Sequence, residues 1–347
     1  MIEHIAHIGN IKIGKGEPVA IQTMYDSPIP HEIDKLDSLL ARMDSLKAMG
    51  CDIMRFSYPT DSDRDAFTYL CSKSSMPLVA DIHFDYKMAL AALECGCAKI
   101  RINPGNIGAK WKTEEVVRSA KDHGAAIRIG LNSGSLPKTD KPVNQADLMV
   151  ESALTYLDTF ECIGFDNTVI SLKSTDLKIT TDANEKFAAV SGYPLHIGIT
   201  EAGSVVSSVA RSSWILGNLL SKGIGNTMRI SITGSIEDEV FAGVEILRAL
   251  GLRNKGVRIV SCPRCGRNTF NTQQFLSEVE PELLKIDKNI TVAIMGCQVN
   301  GPGEAGNADF AVTGIGEKVF LYTHGKLSRE VERSQAKRIL LEAIANA

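Results

Sequence analysis

No apolar run in these 347 residues approaches the ~20 positions that a bilayer-crossing helix needs, so no transmembrane helix is expected. The opening MIEHIAHIGNIKIG does not set a basic segment ahead of an apolar core, so it does not read as a secretory signal. The expected compartment is the cytoplasm, where thiols stay reduced, and eight cysteines there argue against a disulfide framework. A large excess of charge of one sign is missing as well. A formal net charge of −3 gives no general pull toward nucleic acid or acidic membranes, and neither is an expected partner. Any anion site must be a local cluster of Arg and Lys in a neutral-to-acidic molecule. Also missing is a G-x-G-x-x-G turn after a first strand, and GNIGAK (105–110) lacks the GK[ST] ending of a phosphate loop.

One pattern repeats through the first two-thirds of the chain: a β-branched or apolar run, a polar residue, a Gly/Pro/Asn/Asp break, then a helical stretch. The runs are 19–24, 52–58, 78–83, 99–104, 126–132, 168–174, 195–201 and 227–233. Strand and helix alternating at this spacing imply βαβ units, and eight units in about 250 residues match a closed (βα)8 TIM barrel. HIAHIGNIKIG alternates around Gly-Asn and reads as a hairpin plugging the barrel bottom. After residue 250 the rhythm changes. A strand ending in SCPRCGR, a helix near 272–286, a strand ending in MGCQVNGPGEA, two short strands and a closing helix from Ser328 describe a smaller α+β domain. The expected domains are therefore 1–250 and 251–347.

Barrel enzymes work at the C-terminal ends of their strands. There this chain carries Arg55, Asp81, His83, Arg101, Asn103, Arg128, Asn132, Lys173, Glu201, Arg229 and Ser231. Barrel interiors are usually filled by Val, Ile and Leu, and unpaired charge is costly to bury. One account is a polar layer in which these cations pair with Asp52, Asp81 and Glu201. The other is a converging cluster for a strongly anionic ligand, since guanidinium forks suit phosphate and the cations outnumber the acids. His83 and His196 lie on strands and read as packed core residues.

Cys262 and Cys265 form a C-x-x-C after one strand, and Cys297 follows another about 30 residues on. A thioredoxin-like pair needs its C-x-x-C to open a helix, which Pro263 and Gly266 disfavour. Structural zinc calls for a fourth, closely spaced Cys or His. An iron–sulfur cluster prefers thiolates, and three of them leave one iron for another ligand; Glu304 is the acid in that loop. Zinc and iron–sulfur both remain open on spacing. Cys51, Cys71, Cys95, Cys97 and Cys162 read as structural.

SCPRCGR and GCQVNGPGEA, behind VADIHFDYKMAL, KIRINPGNIG, IRIGLNSGSL, ISLKSTD, GITEAG and GNTMRISITG, closely resemble the 4-hydroxy-3-methylbut-2-enyl diphosphate synthase family in its compact bacterial two-domain form. The likeness spans essentially the whole chain. It implies a [4Fe-4S] cluster on Cys262, Cys265, Cys297 and Glu304, and a 2-C-methyl-D-erythritol 2,4-cyclodiphosphate substrate. Two electrons open the substrate's ring and remove a hydroxyl, in the methylerythritol phosphate route to isoprenoids. It further implies diphosphate binding by Arg55, Arg101, Arg128, Asn132, Lys173, Arg229 and Ser231, with Asp81 and Glu201 as acidic partners. Glu201 is the candidate for proton handling, and Asn300 is expected at the substrate's oxygen. Flavodoxin or ferredoxin is the implied electron donor, and a homodimer is implied in which the cluster domain of one subunit caps the other's barrel. A different class stays open beside it: a barrel transferase of the pterin-binding type with a structural zinc domain. Where the family has a VQSM-type first strand, this chain reads IQTM followed by YDSPIP, and no binding residue is assigned within 25–31.

Overall fold

The computed structural model describes residues 3–135, 144–200, 203–263, 265–297, 303 and 306–347. The chain forms two compact units, Met1–Arg253 and Asn254–Ala347. Arg253 stays with the first because its guanidinium donates to the Gly50 carbonyl at 2.9 Å and faces the Asp52 carboxylate at 3.6 Å.

The first unit begins with the expected hairpin, β1 (Ala6–Ile8) antiparallel to β2 (Ile11–Ile13). Strands β3 (Ala20–Met24), β4 (Ile53–Ser57), β5 (Leu78–Asp81), β6 (Lys99–Ile102), β7 (Ala126–Asn132) and β8 (Thr168–Lys173) follow, each parallel to the last. The ladder is completed by β9 (His196–Ile197) and β10 (Thr227–Met228), with β10 lying between β9 and β3. A bridge from Ile170 to Leu195 joins β8 to the entry of β9, so eight parallel strands among the described residues close into the expected barrel. The last two strands are shorter than their apolar runs. Gly198 ends β9 at φ +151°, where a Cβ would stand 2.5 Å from the Arg229 carbonyl oxygen, and the extended ladder stops at this close approach.

Helices α1 (Ile33–Met49), α2 (Arg64–Lys73), α3 (Tyr86–Glu94), α4 (Pro104–Ile107), α5 (Lys110–Asp122), α6 (Gln145–Cys162), α7 (Leu177–Val190), α8 (Val205–Leu220) and α9 (Ile236–Ala249) link the strands. In α1, Leu36, Leu39, Met43 and Leu46 repeat at three- and four-residue intervals and bury one stripe. Gly50, left-handed at φ +114°, ends that helix by donating to the carbonyls of Leu46 and Lys47. The large core lies between the helices and the outward-facing side chains of the strands, such as Phe56, Ile100, Ile127 and Leu172. A separate small cluster fills the barrel bottom: Ala6, Ile8 and Ile13 of the hairpin against Ala20, Ile53, Val79, Ala126 and Val169. The plug is thus an apolar floor to the interior.

In the second unit, β11 (Val257–Ser261), β12 (Ile290–Met295) and β13 (Phe310–Ile315) are parallel, while β14 (Lys318–Thr323) and β15 (Lys326–Glu332) continue antiparallel. Helices α10 (Thr272–Leu283) and α11 (Arg333–Ala345) bury Phe275, Val279, Leu283, Leu340 and Ile344 in this unit's own core. The closing helix does not start at Ser328 as expected. His324 and Gly325 both adopt positive φ, 47° and 76°, the two-residue turn that suits strand twist, so the chain folds back as β15 before the helix begins.

Candidate active site and metal centre

Strand alternation decides which mouth residues share the interior. The pairs Met24–Arg55, Arg55–Val79, Val79–Lys99, Asp81–Arg101 and Arg101–Arg128 run around the barrel, and Asn132 pairs with Lys173. Opposed residues project to the same face, so Arg55, Asp81, Arg101, Arg128 and Lys173 all point inward with the apolar floor beneath. Asp81 receives Arg101 Nη1 at 3.3 Å and faces Arg55 Nη2 at 3.7 Å. Burial alone would raise its carboxyl. Arg55, Arg101 and Arg128 outweigh that and hold it below the ordinary range.

The cations fare differently. Burial, with mutual repulsion only partly offset by Asp81, lowers Arg55 to about 10. Burial and the neighbouring guanidiniums push Arg128 and Lys173 well below their usual values. A guanidinium does not shed its proton in a protein, so for the arginines the shift reflects the cost of burying charge beside like charge, which an anion would offset. The Met24 sulfur lies 3.1 Å from Arg55 Nε and 3.8 Å from Arg229 Nη1, a weak acceptor between two guanidiniums. Arg101 Nε and Arg128 Nε are buried without a hydrogen-bond partner. Asn132 is half-buried at the end of β7, and the Ser231 hydroxyl donates to the Ile199 carbonyl at 3.1 Å.

Several expectations change. Asp52 does not join the mouth cations; its carboxylate accepts the Ile21 amide at 2.7 Å and pairs with Arg253. His83 is not a core residue: it lies past β5, half-exposed, 3.8 Å from Asp81. His196 is buried as expected, 3.4 Å from the Thr227 hydroxyl. Asn103 caps α4, its side-chain oxygen accepting the Gly105 amide at 3.2 Å. Glu201 lies outside the described residues, as do Asn300 and Glu304.

Two buried residues were not legible as part of the interior. Glu239, in the acidic first turn of α9, accepts Arg229 Nε and Nη2 at 3.1 and 2.9 Å, the Thr23 hydroxyl at 2.6 Å and the Ile232 amide at 3.1 Å. Lys99, fully buried, donates to Gln22 Oε1 at 3.0 Å. The sequence signal for Lys99 is its place two residues before Arg101, which gives it the same inward direction.

In the second unit, Cys262 follows β11 and Cys297 lies two residues past β12, at the same end of neighbouring parallel strands. Cys262 is half-buried, Cys265 exposed and Cys297 buried, and none of the three is in a disulfide. Among the described residues no helix opens at the C-x-x-C; Asn268 N–H turns back to the Cys265 carbonyl, and α10 starts only at Thr272. Gly296, next to Cys297, makes room for the Asn268 side chain, since a Cβ there would meet its oxygen at 2.1 Å, and that buried oxygen has no hydrogen-bond partner. Among the described residues no three His, Cys, Asp or Glu side chains are close enough together to hold a metal ion. The donor chemistry, three thiols outside any disulfide with two of them at adjoining strand ends, nonetheless suits an iron–sulfur group. By contrast, burial pushes the thiols of Cys51 and Cys97 up to about 12, which keeps them protonated and inert.

The GcpE TIM-barrel domain matches residues 3–244, and the GcpE protein C-terminal domain matches 258–346. The chain belongs to the GcpE family. Among curated relatives, 4-hydroxy-3-methylbut-2-en-1-yl diphosphate synthase (flavodoxin) of Treponema denticola is 41% identical, covering 95% of this chain and 91% of that protein. The enzyme of the same name from Geobacter sulfurreducens is 43% identical over 96% of this chain and 95% of its own length. GcpE barrels also share their fold beyond the family. A Xanthomonas albilineans dihydropteroate synthase structure superposes with a TM-score of 0.50 at 13% identity, covering 72% of this chain and 98% of that one. That likeness concerns the barrel alone and gives no support to a pterin-binding transferase.

Proposed function

We propose that this protein is a 4-hydroxy-3-methylbut-2-enyl diphosphate synthase, an iron–sulfur oxidoreductase of the methylerythritol phosphate route. It opens the ring of 2-C-methyl-D-erythritol 2,4-cyclodiphosphate and removes one hydroxyl as water, taking electrons from flavodoxin, the carrier named for its relatives. The observation that supports this most is the surplus of inward-facing cations over Asp81 and Glu239, with guanidinium nitrogens left unpartnered at the mouth. A diphosphate supplies the missing negative charge, and guanidinium forks meet it with paired hydrogen bonds.

In this reading Arg55, Arg101, Arg128, Asn132, Lys173, Arg229 and Ser231 hold the diphosphate. Asp81 aims Arg55 and Arg101, and Glu239 aims Arg229. The Glu201 carboxyl handles the proton taken up by the departing hydroxyl oxygen, and Asn300 orients that oxygen. Cys262, Cys265, Cys297 and the replaceable Glu304 hold a [4Fe-4S] cluster. When bound, the cluster supplies electrons and a Lewis-acidic iron for breaking the carbon–oxygen bond. Met1–Arg253 is then the substrate domain and Asn254–Ala347 the cluster domain. The protein works in the cytoplasm as a homodimer whose cluster domain caps the partner's barrel. Among the described residues no helix is long and apolar enough to cross a membrane.

Anaerobic reconstitution followed by iron and sulfide analysis, a visible spectrum before and after dithionite, and turnover of the cyclodiphosphate test the whole reading. Roughly four irons and four sulfides per chain, with a band that bleaches, are expected. Arg128→Ala should retain that band and lose most of its affinity for the cyclodiphosphate. One tightly bound zinc and no visible band would overturn the mechanism.

A further inference from the structure

Below the mouth lies a second polar tier. Lys99 pairs across its ladder with Val79 and Ala126, both part of the apolar floor, whereas Arg101, two residues on, pairs with Asp81 and Arg128. Lys99 therefore sits one inward-facing step beneath the guanidiniums. Gln22 holds it from β3, and His196 and Thr227 complete the tier from β9 and β10; all four side chains are buried. This tier is rich in donors and poor in acceptors. Gln22 Nε2, His196 Nε2 and, just above, Arg128 Nε have no partner.

The groups facing Lys99 explain why this matters. From above come Arg55, Arg101, Arg128, Lys173 and Arg229, balanced among the described residues by Asp81 and Glu239. At its own level His196 is the titratable neighbour. From below, the hairpin offers only Ala6, Ile8 and Ile13. Every one of these cations charged at once in a closed barrel is a costly arrangement. Arginine cannot relieve it by losing a proton, but the buried lysines Lys99 and Lys173 can, and at Lys99 the Gln22 Oε1 can accept from a neutral amine as well as from an ammonium.

We propose that Lys99 is a further determinant of anion binding: a neutral amine in the ligand-free protein, it takes up a proton when the diphosphate enters the mouth above it. It acts through the field of the tier rather than by touching the ligand, and is a positioning residue in that sense. Burial first, then Arg128 and Arg55, hold its amine well below the ordinary lysine range, and burial with Lys173 does the same to His196. An arriving diphosphate offsets the repulsion and draws the proton back. Because the complex then carries more protons than the free protein, affinity must fall as pH rises toward the ordinary lysine range.

This inference rests on the diphosphate reading above, and its test separates the two. Each phosphorus of the cyclodiphosphate carries a single strongly acidic oxygen, so the ligand brings no titrating proton of its own near neutrality. Titration calorimetry of the oxidised holoprotein, run at several pH values in buffers of different ionisation enthalpy, counts protons taken up on binding. Uptake of about one proton is expected, with Kd rising about tenfold per pH unit across that window. In Lys99→Met the uptake and the pH slope should both drop by the share of Lys99, leaving only what Lys173 and His196 take up, while binding persists. Lys99→Gln, which keeps a polar head toward Gln22, gives the same readout if the methionine variant fails to fold. Binding without proton uptake in the wild type, or uptake unchanged in the variants, overturns the proposal and leaves the diphosphate reading standing. No binding at any pH overturns both.

Discussion

Arg55 and Arg101 approach Asp81 from the two strands that flank it, at 3.7 and 3.3 Å, and Arg128 stands behind Arg101 in the next strand. One buried carboxylate thus balances three guanidiniums. Replacing it as Asp81→Asn leaves them facing each other and should cost about 3 kcal/mol of stability, the usual scale for breaking a buried ion pair from one side. The Asp81 carboxyl is depressed in the folded protein, so its contribution is complete above the ordinary aspartate range near 4 and is lost as pH falls below it. Denaturant unfolding of wild type and variant should therefore differ fully at pH 7 and converge below pH 4. A gap that persists in acid would show that Asp81 stabilises by shape rather than by charge. At this scale the mouth arginines were legible, because inward charge at strand ends stands out against apolar runs. Glu239 was not. In the sequence it is one of three acids opening α9, and only the position of that helix beside β10 turns it toward Arg229.

Among the elements, the seam between β8, β9 and β10 is the thinnest part of the barrel: two strands of two residues and a single bridge. Gly198 occupies it at φ +151°, and a Cβ there would stand 2.5 Å from the Arg229 carbonyl and 3.0 Å from the Lys173 ammonium. Backbone on a neighbouring strand cannot yield as a side-chain tip does. Gly198→Ala is expected to lower the melting temperature by about 10 °C and to weaken cyclodiphosphate binding, since the clash displaces Lys173 and Arg229 together. Thermal unfolding and a binding isotherm on the same sample check both effects. The β14–β15 hairpin makes the complementary point. Its turn chemistry, His324-Gly325, was present in the sequence, but the polar KLSREVE that follows has too little apolar periodicity to be read as a strand against the helix beyond it.

Over the whole molecule, charge is arranged rather than abundant. A chain with net charge −3 collects its inward cations in one barrel and its three cluster-type thiols in a second unit with a separate core. If the cluster domain of one subunit serves the barrel of the other, two inactive chains should rescue each other. Arg128→Ala spoils the barrel and Cys297→Ala the cluster. Mixed through a refolding or co-expression step, half of the dimers formed are mixed, and one of the two sites in each is intact. About a quarter of wild-type turnover is then expected, measured against each variant alone. No recovery would place barrel and cluster domain of each working site on the same chain.

The sequence alone determined the barrel, the hairpin beneath it, the smaller α+β unit, the basic mouth and the three thiols. Each is written in local terms: a period of strand and helix, a turn dipeptide, a charge at the end of an apolar run, a spacing of cysteines. Tertiary structure decided what those residues face. It set Asp52 against Arg253 instead of the mouth, brought Glu239 from a helix to Arg229, and placed Lys99 in a donor-rich tier over an apolar floor. Charge on a side chain is a property of the residue. Its cost and its partner depend on burial and on which strands close the ring, and those are fixed only when the barrel closes.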